Sequence, residues 1–359
     1  MAKSLIFVIN PGSTSTKIAV FEQDKQVWMA SISHSPEEIN AFPSIYSQFD
    51  YRYKSISDKM KDSGINAEDI AIVMGRGGLI RPVESGVLLV NEALKADLRD
   101  SPVGEHASNL GGLLAAAFAD SFGSAKAYIA DPVAADEFDA LARISGHPLF
   151  ERKSLYHPLN HKAVARQYAS SISTTYEELN LIIAHMGGGI TVGAHRKGRV
   201  VDTNNGLDGD GPFTPERSGT IPAGDLVRLC FSEKYTEQEI LKMLTGKGGM
   251  VAYLNTSDAR AVEEGFLNNE PKATLIYTAM AYQISKEIGA MFTVLKGEVD
   301  AIILTGGLAY SHVFTKMIAE RIGKLGPVKV YPGEDEMRAL AANGLNVLKG
   351  TAKIIEYQP

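Results

Sequence analysis

The sequence predicts an α/β protein made of two related domains, and three observations lead to that class. Apolar strands at Leu5–Ile9 and Ile18–Phe21 flank a turn rich in glycine, serine and threonine. The same design returns at Leu181–Ala184 and Ile190–Ala194, around three consecutive glycines. Segments with helical spacing lie between the strands in both halves, which is typical of layered α/β folds. The length of 359 residues also favours two domains.

The remaining elements suggest where the chain divides. A third glycine turn follows an apolar strand at Ala301–Leu304 and leads into a helix. Helical spacing occurs at Asn109–Ser121, Asn160–Ser170, Thr236–Leu244 and Ala273–Leu295. A polar stretch broken by glycine and proline at 146–158 favours a boundary there. We expect residues 1–155 plus 340–359 to form the N-terminal domain, with a C-terminal helix packing back on it. We expect residues 156–339 to form the nucleotide-binding domain, with the active-site cleft between the two.

Composition excludes several classes of partner. The 36 basic and 42 acidic residues are spread evenly, so no basic surface indicates binding to nucleic acid or to a membrane. Leu5–Ile9 is too short for a secretory signal, and no later apolar run reaches the length of a membrane span. A single cysteine, Cys230, rules out an internal disulfide and is expected to be buried. We therefore predict a cytoplasmic protein whose partners are small molecules.

The first turn has the chemistry of a phosphate site. Residues Asn10 to Lys17 combine a glycine, four hydroxyl side chains and a terminal lysine. Small residues let backbone N–H and hydroxyl donors approach an anion, and lysine adds positive charge. An ordinary hairpin turn is the alternative on composition alone. The segment is not a Walker A loop, because it lacks the second glycine and leads into a strand.

Two later glycine turns strengthen the prediction of nucleotide binding. His185 is followed by Met186 and Gly187 to Gly189, and Gly306 and Gly307 follow the strand at Ala301–Leu304. Each loop alone is weak evidence, because glycine also serves tight turns. Together with the first turn they place three glycine turns at strand ends, where open α/β sheets bind ligands.

Two arginines are candidates for charge neutralisation. The phosphates of a nucleotide are anionic, and two unit negative charges about 4 Å apart repel by about 4 kcal/mol at an effective dielectric constant near 20, so the site needs cations. Arg76 precedes two glycines, and Arg217 lies in a loop with Gly219. A solvated surface arginine is the alternative for each.

Several motifs occur in one order along nearly the whole chain, from Asn10 to Glu336. They are NPGSTSTK from Asn10, RGG from Arg76, GEHASNL from Gly104, DPV from Asp131, SGHP from Ser145, HMGGG from His185, DGDGPFTPERSGTIP from Asp208 and LTGGLA from Leu304. With this series the chain resembles the acetokinase family of the sugar kinase, actin and Hsp70-like ATPase superfamily. The resemblance implies two ribonuclease H-like domains of the actin and Hsp70 type.

The resemblance also implies roles for individual residues. The catalytic residues would be Asp131, His157 and Arg217; Arg76 would bind the acid; and Asn10 and Glu336 would lie near Mg²⁺. The alternative for Asp131 is a structural residue that caps the next helix. The residues that would bind ATP are Ser13, Ser15, Lys17, His185, Gly187, Gly188, Gly189, Asp258, Arg260, Gly306 and Gly307.

Three positions depart from the pattern of acetate kinases. Arg76 stands where those enzymes have a histidine, the segment Tyr156–His161 replaces a Phe-His-Gly-Thr-Ser-His motif, and Gly188 replaces an asparagine. All three favour the branch of the family that acts on butyrate.

The implied reaction is reversible transfer of the ATP γ-phosphoryl group to the carboxylate of a short-chain fatty acid, with Mg²⁺ as cofactor. Butyrate is the expected acid, and isobutyrate, propionate and acetate are the alternatives. The resemblance also implies a homo-oligomer, either a dimer or a multiple of dimers. A hydroxyl-acceptor kinase and a non-catalytic nucleotide-binding regulator are two further classes that remain open.

Overall fold

The computed structural model describes residues 4–358, and the chain divides into two compact units. The first unit contains the residues up to Asp136 and those from Asp335 onward, and the second unit is Glu137–Glu334. The polar stretch at 146–158 lies inside the second unit. The chain just before this stretch is bonded to the second unit, because the Asp139 N–H donates to the carbonyl of Val201 at 3.0 Å. Arg152 also forms an ion pair with Asp202 at 2.8 Å.

Within residues 4–358 the structure has twelve β-strands. They are β1 Leu5–Pro11, β2 Ser15–Glu22, β3 Lys25–Ser33, β4 Ile70–Arg76, β5 Val87–Leu89, β6 Lys126–Ala130, β7 Asn180–Met186, β8 Ile190–Arg196, β9 Arg199–Thr203, β10 Ala301–Gly306, β11 Val328–Pro332 and β12 Ile354–Glu356.

The same residues contain thirteen α-helices. They are α1 Pro36–Asn40, α2 Phe49–Lys61, α3 Glu92–Asp100, α4 Asn109–Ser121, α5 Ala140–Arg143, α6 Pro158–Ser171, α7 Ala223–Cys230, α8 Glu237–Leu244, α9 Gly249–Leu254, α10 Ala259–Leu267, α11 Pro271–Val294, α12 His312–Ile322 and α13 Glu336–Leu348. The strands and helices predicted from apolar spacing are all present, with bounds shifted by a few residues.

The first unit is built on a seven-stranded sheet in the order β12-β5-β6-β4-β1-β2-β3. Strands β1, β2 and β3 form an antiparallel meander, whereas β1, β4 and β6 run parallel. Helix α13 comes from the far end of the chain and packs against β1 and β4. This return brings the start of α13 to the carboxyl end of β1, where Glu336 meets Asn10.

The second unit repeats the central part of that sheet with five strands in the order β11-β10-β7-β8-β9. Here β7, β8 and β9 form the antiparallel meander, and β7, β10 and β11 run parallel. The order is therefore the same as β6-β4-β1-β2-β3 in the first unit. The prediction of two related domains from two similar hairpins is confirmed at the level of topology.

Each unit has its own apolar core. In the second unit, β7 and β10 are mainly apolar and every residue of both strands is buried, as expected for strands covered by helices on two sides. Helix α11 contributes nine buried residues to this unit, at helical spacing.

The expectation that Cys230 is buried is wrong, because it lies exposed at the end of α7. This helix buries none of its residues in the unit. Among residues 4–358, no helix is long and apolar enough to cross a membrane.

Candidate active site

The turn between β1 and β2 presents small polar groups around a tight backbone reversal. The Gly12 N–H donates to the carbonyl of Ser15 at 2.7 Å and closes the turn. Asn10 and Lys17 are directly paired across the two strands. Ser13 and Lys17 are exposed and Ser15 is half-buried, so the predicted ATP-binding side chains of this turn are accessible.

A fully buried arginine supports this turn from behind. Arg52 of α2 donates through Nη1 to the carbonyl of Gly12 and to Thr16 Oγ1, both at 2.9 Å. It also donates to Ser13 and Gln48. Within the described chain, all its hydrogen bonds go to uncharged groups, although a buried charge is normally paired with an opposite one. The turn is therefore fixed by a cation whose positive field favours an anion nearby.

The carboxylate of Glu336 links two strand ends in the first unit. Its Oε2 accepts a hydrogen bond from Asn10 Nδ2 at 2.7 Å, and its Oε1 forms an ion pair with Arg76 Nη2 at 2.8 Å. Arg76 also donates to Asn10 Oδ1 at 3.4 Å. The structure thus brings together the predicted acid-binding residue and the two residues predicted to lie near Mg²⁺.

Asp131 follows β6 directly and adopts an unusual backbone conformation. Its φ is +40°, a left-handed value that is uncommon for residues other than glycine. Its Oδ1 accepts a hydrogen bond from the Ser85 hydroxyl at 2.6 Å. The alternative that Asp131 caps the next helix is wrong, because that helix is α5 and its N-terminal cap is Asp139.

In the second unit, two predicted histidines stack on each other. The rings of His157 and His185 lie with their centres 3.9 Å apart and their planes within 16°. His157 precedes α6, and its Nδ1 lies 2.9 Å from Thr191 Oγ1. His185 lies 2.8 Å from Asn160 Oδ1 through Nδ1, and 3.5 Å from a Glu334 oxygen through Nε2.

The glycine loop after β7 makes room for Arg217. A Cβ atom on Gly189 would lie 2.2 Å from Arg217 Nη1, so any larger residue there would displace the Arg217 guanidinium. Arg217 donates to the carbonyl of Gly206. Desolvation by burial lowers the pKa of the Arg217 guanidinium, but arginine stays charged at neutral pH. Thr214 ties the two loops together, since its hydroxyl donates to the carbonyl of Gly188 at 2.6 Å and accepts the Arg217 N–H at 2.9 Å.

A pocket of about 290 Å³ in the second unit gathers five of the eleven residues predicted to bind ATP. It is lined by Gly187, Gly188, Pro215, Glu216, Ser257, Asp258, Ala259, Arg260, Gly307 and Leu308. Asp258 caps the N-terminus of α10 by accepting the N–H of Arg260 at 2.9 Å. Gly306 has a φ of +87°, and a Cβ there would lie 2.5 Å from the Met186 carbonyl oxygen. The pocket is near the lower limit of about 300 Å³ for small-molecule sites.

A larger cavity of about 650 Å³ also occurs in the second unit, but none of the predicted site residues lines it. Its walls are the segment 138–151, which includes the SGHP motif. We therefore place the candidate active site at the glycine loops, where the chemistry lies, and not at the larger volume.

Four residues important to the site were not singled out by the sequence. They are Arg52, Asn160, Thr191 and Thr214. Thr214 lies in the motif that begins at Asp208, and Asn160 in the segment Tyr156–His161. Their place in these segments could have marked them as candidates. Arg52 and Thr191 have no such signal, since each depends on a contact between residues at least 30 positions apart.

Comparison with known proteins gives an independent view of the chain. A sequence model described as the acetokinase family matches residues 146–333. Butyrate kinase 2 of Clostridium acetobutylicum is 51% identical over 356 residues, which cover 99% of this chain and 100% of that protein. Butyrate kinase 1 of the same organism is 50% identical over 353 residues, covering 98% and 99%.

Among solved structures, the acetate kinase of Porphyromonas gingivalis superposes with a TM-score of 0.79 at 18% identity. The match covers 96% of this chain and 100% of that one. At this identity the likeness shows the fold alone, and it confirms the predicted fold class.

Proposed function

Because the chain belongs to the acetokinase family, we propose that it transfers the γ-phosphoryl group of ATP, reversibly, to the carboxylate of butyrate. The product is butyryl phosphate, and the enzyme is a phosphotransferase with a carboxyl group as acceptor. The observation that carries this function is identity of about half the residues to two butyrate kinases over almost the whole chain.

The chemistry needs positioning and charge neutralisation more than acid–base catalysis. An ionised carboxylate is already a nucleophile at neutral pH, so no base has to remove a proton. The carboxylate oxygen attacks the γ-phosphorus, and the bond from that phosphorus to the β,γ-bridging oxygen of ATP breaks. ADP leaves with the negative charge of that oxygen, and in the reverse direction the acyl phosphate donates to ADP.

In the second unit, we propose that the pocket beside Asp258 and Arg260 holds the nucleoside. The glycine loop at 187–189 would then lie along the phosphates, where missing side chains allow backbone N–H groups to approach. Arg217 and His157 would donate to the equatorial oxygens of the transferring phosphoryl group. This proposal is supported by the tight fit of the Arg217 guanidinium against Gly189.

In the first unit, we propose that Arg76 binds the carboxylate of the acid. Its guanidinium is held by Glu336, which fixes its direction while a planar donor pair can still meet a carboxylate. The hydroxyl groups and lysine of the turn at 12–17 would contact phosphate oxygens. We propose that Asp131 orients hydrated metal or an arginine, since the mechanism leaves no proton for it to remove.

The oxygen atoms of Asn10 and Glu336 fit a Mg²⁺ ion, which prefers oxygen ligands and keeps several waters. Within residues 4–358 no cluster of three or more acidic, histidine or cysteine side chains could enclose a metal. With so few protein ligands, a Mg²⁺ ion would be bound mainly by ATP and water. When bound, Mg²⁺ neutralises charge on the phosphates.

We also propose that the protein is a cytoplasmic homo-oligomer, either a dimer or a multiple of dimers. The cytoplasm supplies ATP, and the single cysteine fits a reducing compartment. Helix α7 and the turn after it expose Val227 by 54% and Phe231 by 84%, four residues apart and so on one side of the helix. Clustered apolar side chains at a surface indicate a protein interface. We propose that a second copy of the chain covers these side chains in the homo-oligomer.

The first test is a hydroxamate assay for acyl phosphate over straight and branched acids of two to six carbons, with ATP and Mg²⁺. We expect the highest kcat/KM with butyrate. One methylene in an apolar pocket is worth about 1–3 kcal/mol. The kcat/KM of acids one carbon longer or shorter should therefore be lower by roughly 10- to 200-fold. A peak at acetate, propionate or isobutyrate would replace butyrate as the substrate, and phosphorylation of sugars alone would contradict the proposal.

The second prediction concerns Arg217. Arg217→Lys keeps the charge but loses the planar pair of donors, and arginines of this kind are worth about 10³ to 10⁵ in rate. We expect kcat to fall within that range, with a much smaller change in the KM for ATP. Arg99→Lys, at an exposed arginine of α3, is the control and should match the parent. Turnover within about tenfold of the parent would show that Arg217 does not stabilise the transition state.

The third prediction concerns Glu336. Glu336→Gln keeps the shape and removes the charge, so the Mg²⁺ concentration for half-maximal activity should rise by about tenfold or more, as for residues around a metal site. Glu92→Gln, at an exposed glutamate on α3, serves as control. If Glu336→Gln keeps both the magnesium titration and the melting temperature of the parent, Glu336 does not take part in binding Mg²⁺.

The fourth prediction concerns assembly. Phe231→Asp should lower the mass measured by sedimentation velocity, because it places a charge in the exposed apolar patch. Leu275→Asp alters another exposed apolar residue, which is 67% exposed on α11, and should leave the mass unchanged. A parent that sediments as a monomer at micromolar concentration would rule out the oligomer.

A further inference from the structure

A continuous row of hydrogen-bonding groups runs from His157 into the core of the second unit. Thr191 Oγ1 lies 2.9 Å from His157 Nδ1 and 3.1 Å from His161 Nε2. His161 Nδ1 lies 3.1 Å from His195 Nε2, and His195 Nδ1 lies 2.6 Å from the hydroxyl of Tyr176. Five side chains are thus joined by four contacts of hydrogen-bond length.

Local structure explains why these groups meet. Thr191 and His195 lie four residues apart on β8, so their side chains point to the same face of the strand. Gly193 lies between them and leaves the space for the His161 ring, because a Cβ there would be 3.2 Å from His161 Nδ1. His161 extends from the first turn of α6, and Tyr176 follows that helix.

The two inner histidines are uncharged. His161 and His195 have no exposed surface, and burial is the main cause that lowers the pKa of both well below the ordinary value. Repulsion from the charge that His195 or His185 would carry if protonated lowers the pKa of His161 further, and the Lys162 ammonium does the same to the pKa of His195. A neutral imidazole carries one hydrogen, so it donates with one nitrogen and accepts with the other.

This requirement leaves two arrangements of hydrogens along the row while His157 is also neutral. Among residues 4–358, Thr191 Oγ1 has hydrogen-bond contacts only with His157 and His161, so the single hydroxyl hydrogen goes to one of them and the oxygen accepts from the other. Either every group donates towards His157, or every group donates towards Tyr176. The contact of 2.6 Å at Tyr176 favours the first arrangement, because O–H donors approach their acceptors more closely than N–H donors do. Tyr176 therefore donates to His195, His195 to His161, His161 to Thr191, and Thr191 to His157 Nδ1.

We propose that Tyr176, His195, His161 and Thr191 form a hydrogen-bonded relay that fixes neutral His157 as the tautomer with its hydrogen on Nε2. They are positioning residues, since they act through His157. The arrangement of the relay does not depend on the proposed function, but its role does. That role is to keep an N–H donor directed at an equatorial phosphoryl oxygen. Without the relay, neutral His157 would divide between two tautomers, and one of them would present a lone pair to an anion.

The direct test reads the tautomer itself. Nitrogen chemical shifts of the protein labelled with ¹⁵N-histidine distinguish protonated from unprotonated ring nitrogens, and His157→Gln identifies the signals of His157. We expect the hydrogen on Nε2 in the parent, at a pH where His157 is neutral. Thr191→Val removes the hydroxyl at nearly constant shape and should give a mixture of tautomers or the Nδ1–H form. Thr191→Ser keeps the hydroxyl and should restore the parent spectrum.

Kinetics supply the second measurement. Thr191→Val should lower kcat by about tenfold, with less than about a twofold change in the KM for ATP, as expected when one hydrogen-bond donor is no longer held in place. Tyr176→Phe removes only the far end of the row, and it should lower kcat by roughly two- to threefold. Tyr168→Phe is the matched control, because Tyr168 is buried in the same apolar cluster but lies outside the row.

The outcomes separate the relay from the proposed function. A parent spectrum with the hydrogen on Nδ1 would overturn the relay, and so would Thr191→Val with the tautomer of the parent. Equal losses for Tyr176→Phe and Tyr168→Phe would show that a buried hydroxyl matters only for packing, and would also overturn it. If the tautomer responds as expected but the parent phosphorylates no short-chain acid, the relay stands and the proposed function fails.

Discussion

Guanidinium groups held by backbone carbonyl oxygens are the interaction on which the candidate site loops of each unit depend. In the first unit, Arg52 is completely buried and donates to the carbonyls of Gly12 and Ser13. In the second unit, Arg217 donates to the carbonyl of Gly206 beside the glycine loop. Carbonyl partners satisfy the donors without cancelling the charge. Each loop therefore keeps a positive field for an anionic ligand, which a carboxylate partner would have neutralised.

The repeated topology explains why the loops occur where they do. In each unit, an antiparallel meander adjoins parallel strands. The first strand of the meander pairs with both: β1 lies between β4 and β2, and β7 lies between β10 and β8. The carboxyl ends of parallel strands lie at one edge of a sheet, so the turn after β1 lies near the end of β4, and the turn after β7 near the end of β10. Asn10 and Arg76 meet for this reason, as do Met186 and Gly306. The repeat thus accounts for three glycine turns at strand ends.

The strands and the glycine turns could be predicted from the sequence because each depends on local pattern. Candidate site residues such as Asp131, His157 and Glu336 followed only from the resemblance to a family. Apolar runs specify β7 and β10, and the glycines mark where backbone segments approach closely. Contacts distant in the chain gave no such signal. Arg52 reads as an ordinary helix residue, and Thr191 as an ordinary strand residue, until the fold brings partners to them. The error at Cys230 has a similar cause, since an amphipathic helix does not tell whether its apolar face is covered by the same chain.

The order of the two units along the chain has a consequence for biosynthesis. The second unit is a single continuous segment, Glu137–Glu334, whereas the first unit needs residues on both sides of it. A ribosome therefore releases every residue of the second unit before it makes α13 and β12. Until then the sheet of the first unit lacks its edge strand, and Asn10 and Arg76 lack the carboxylate that joins them. Translation of α13 and β12 thus completes the first unit, so a nascent or prematurely terminated chain can hold the finished glycine loops of the second unit while Asn10 and Arg76 are still unjoined.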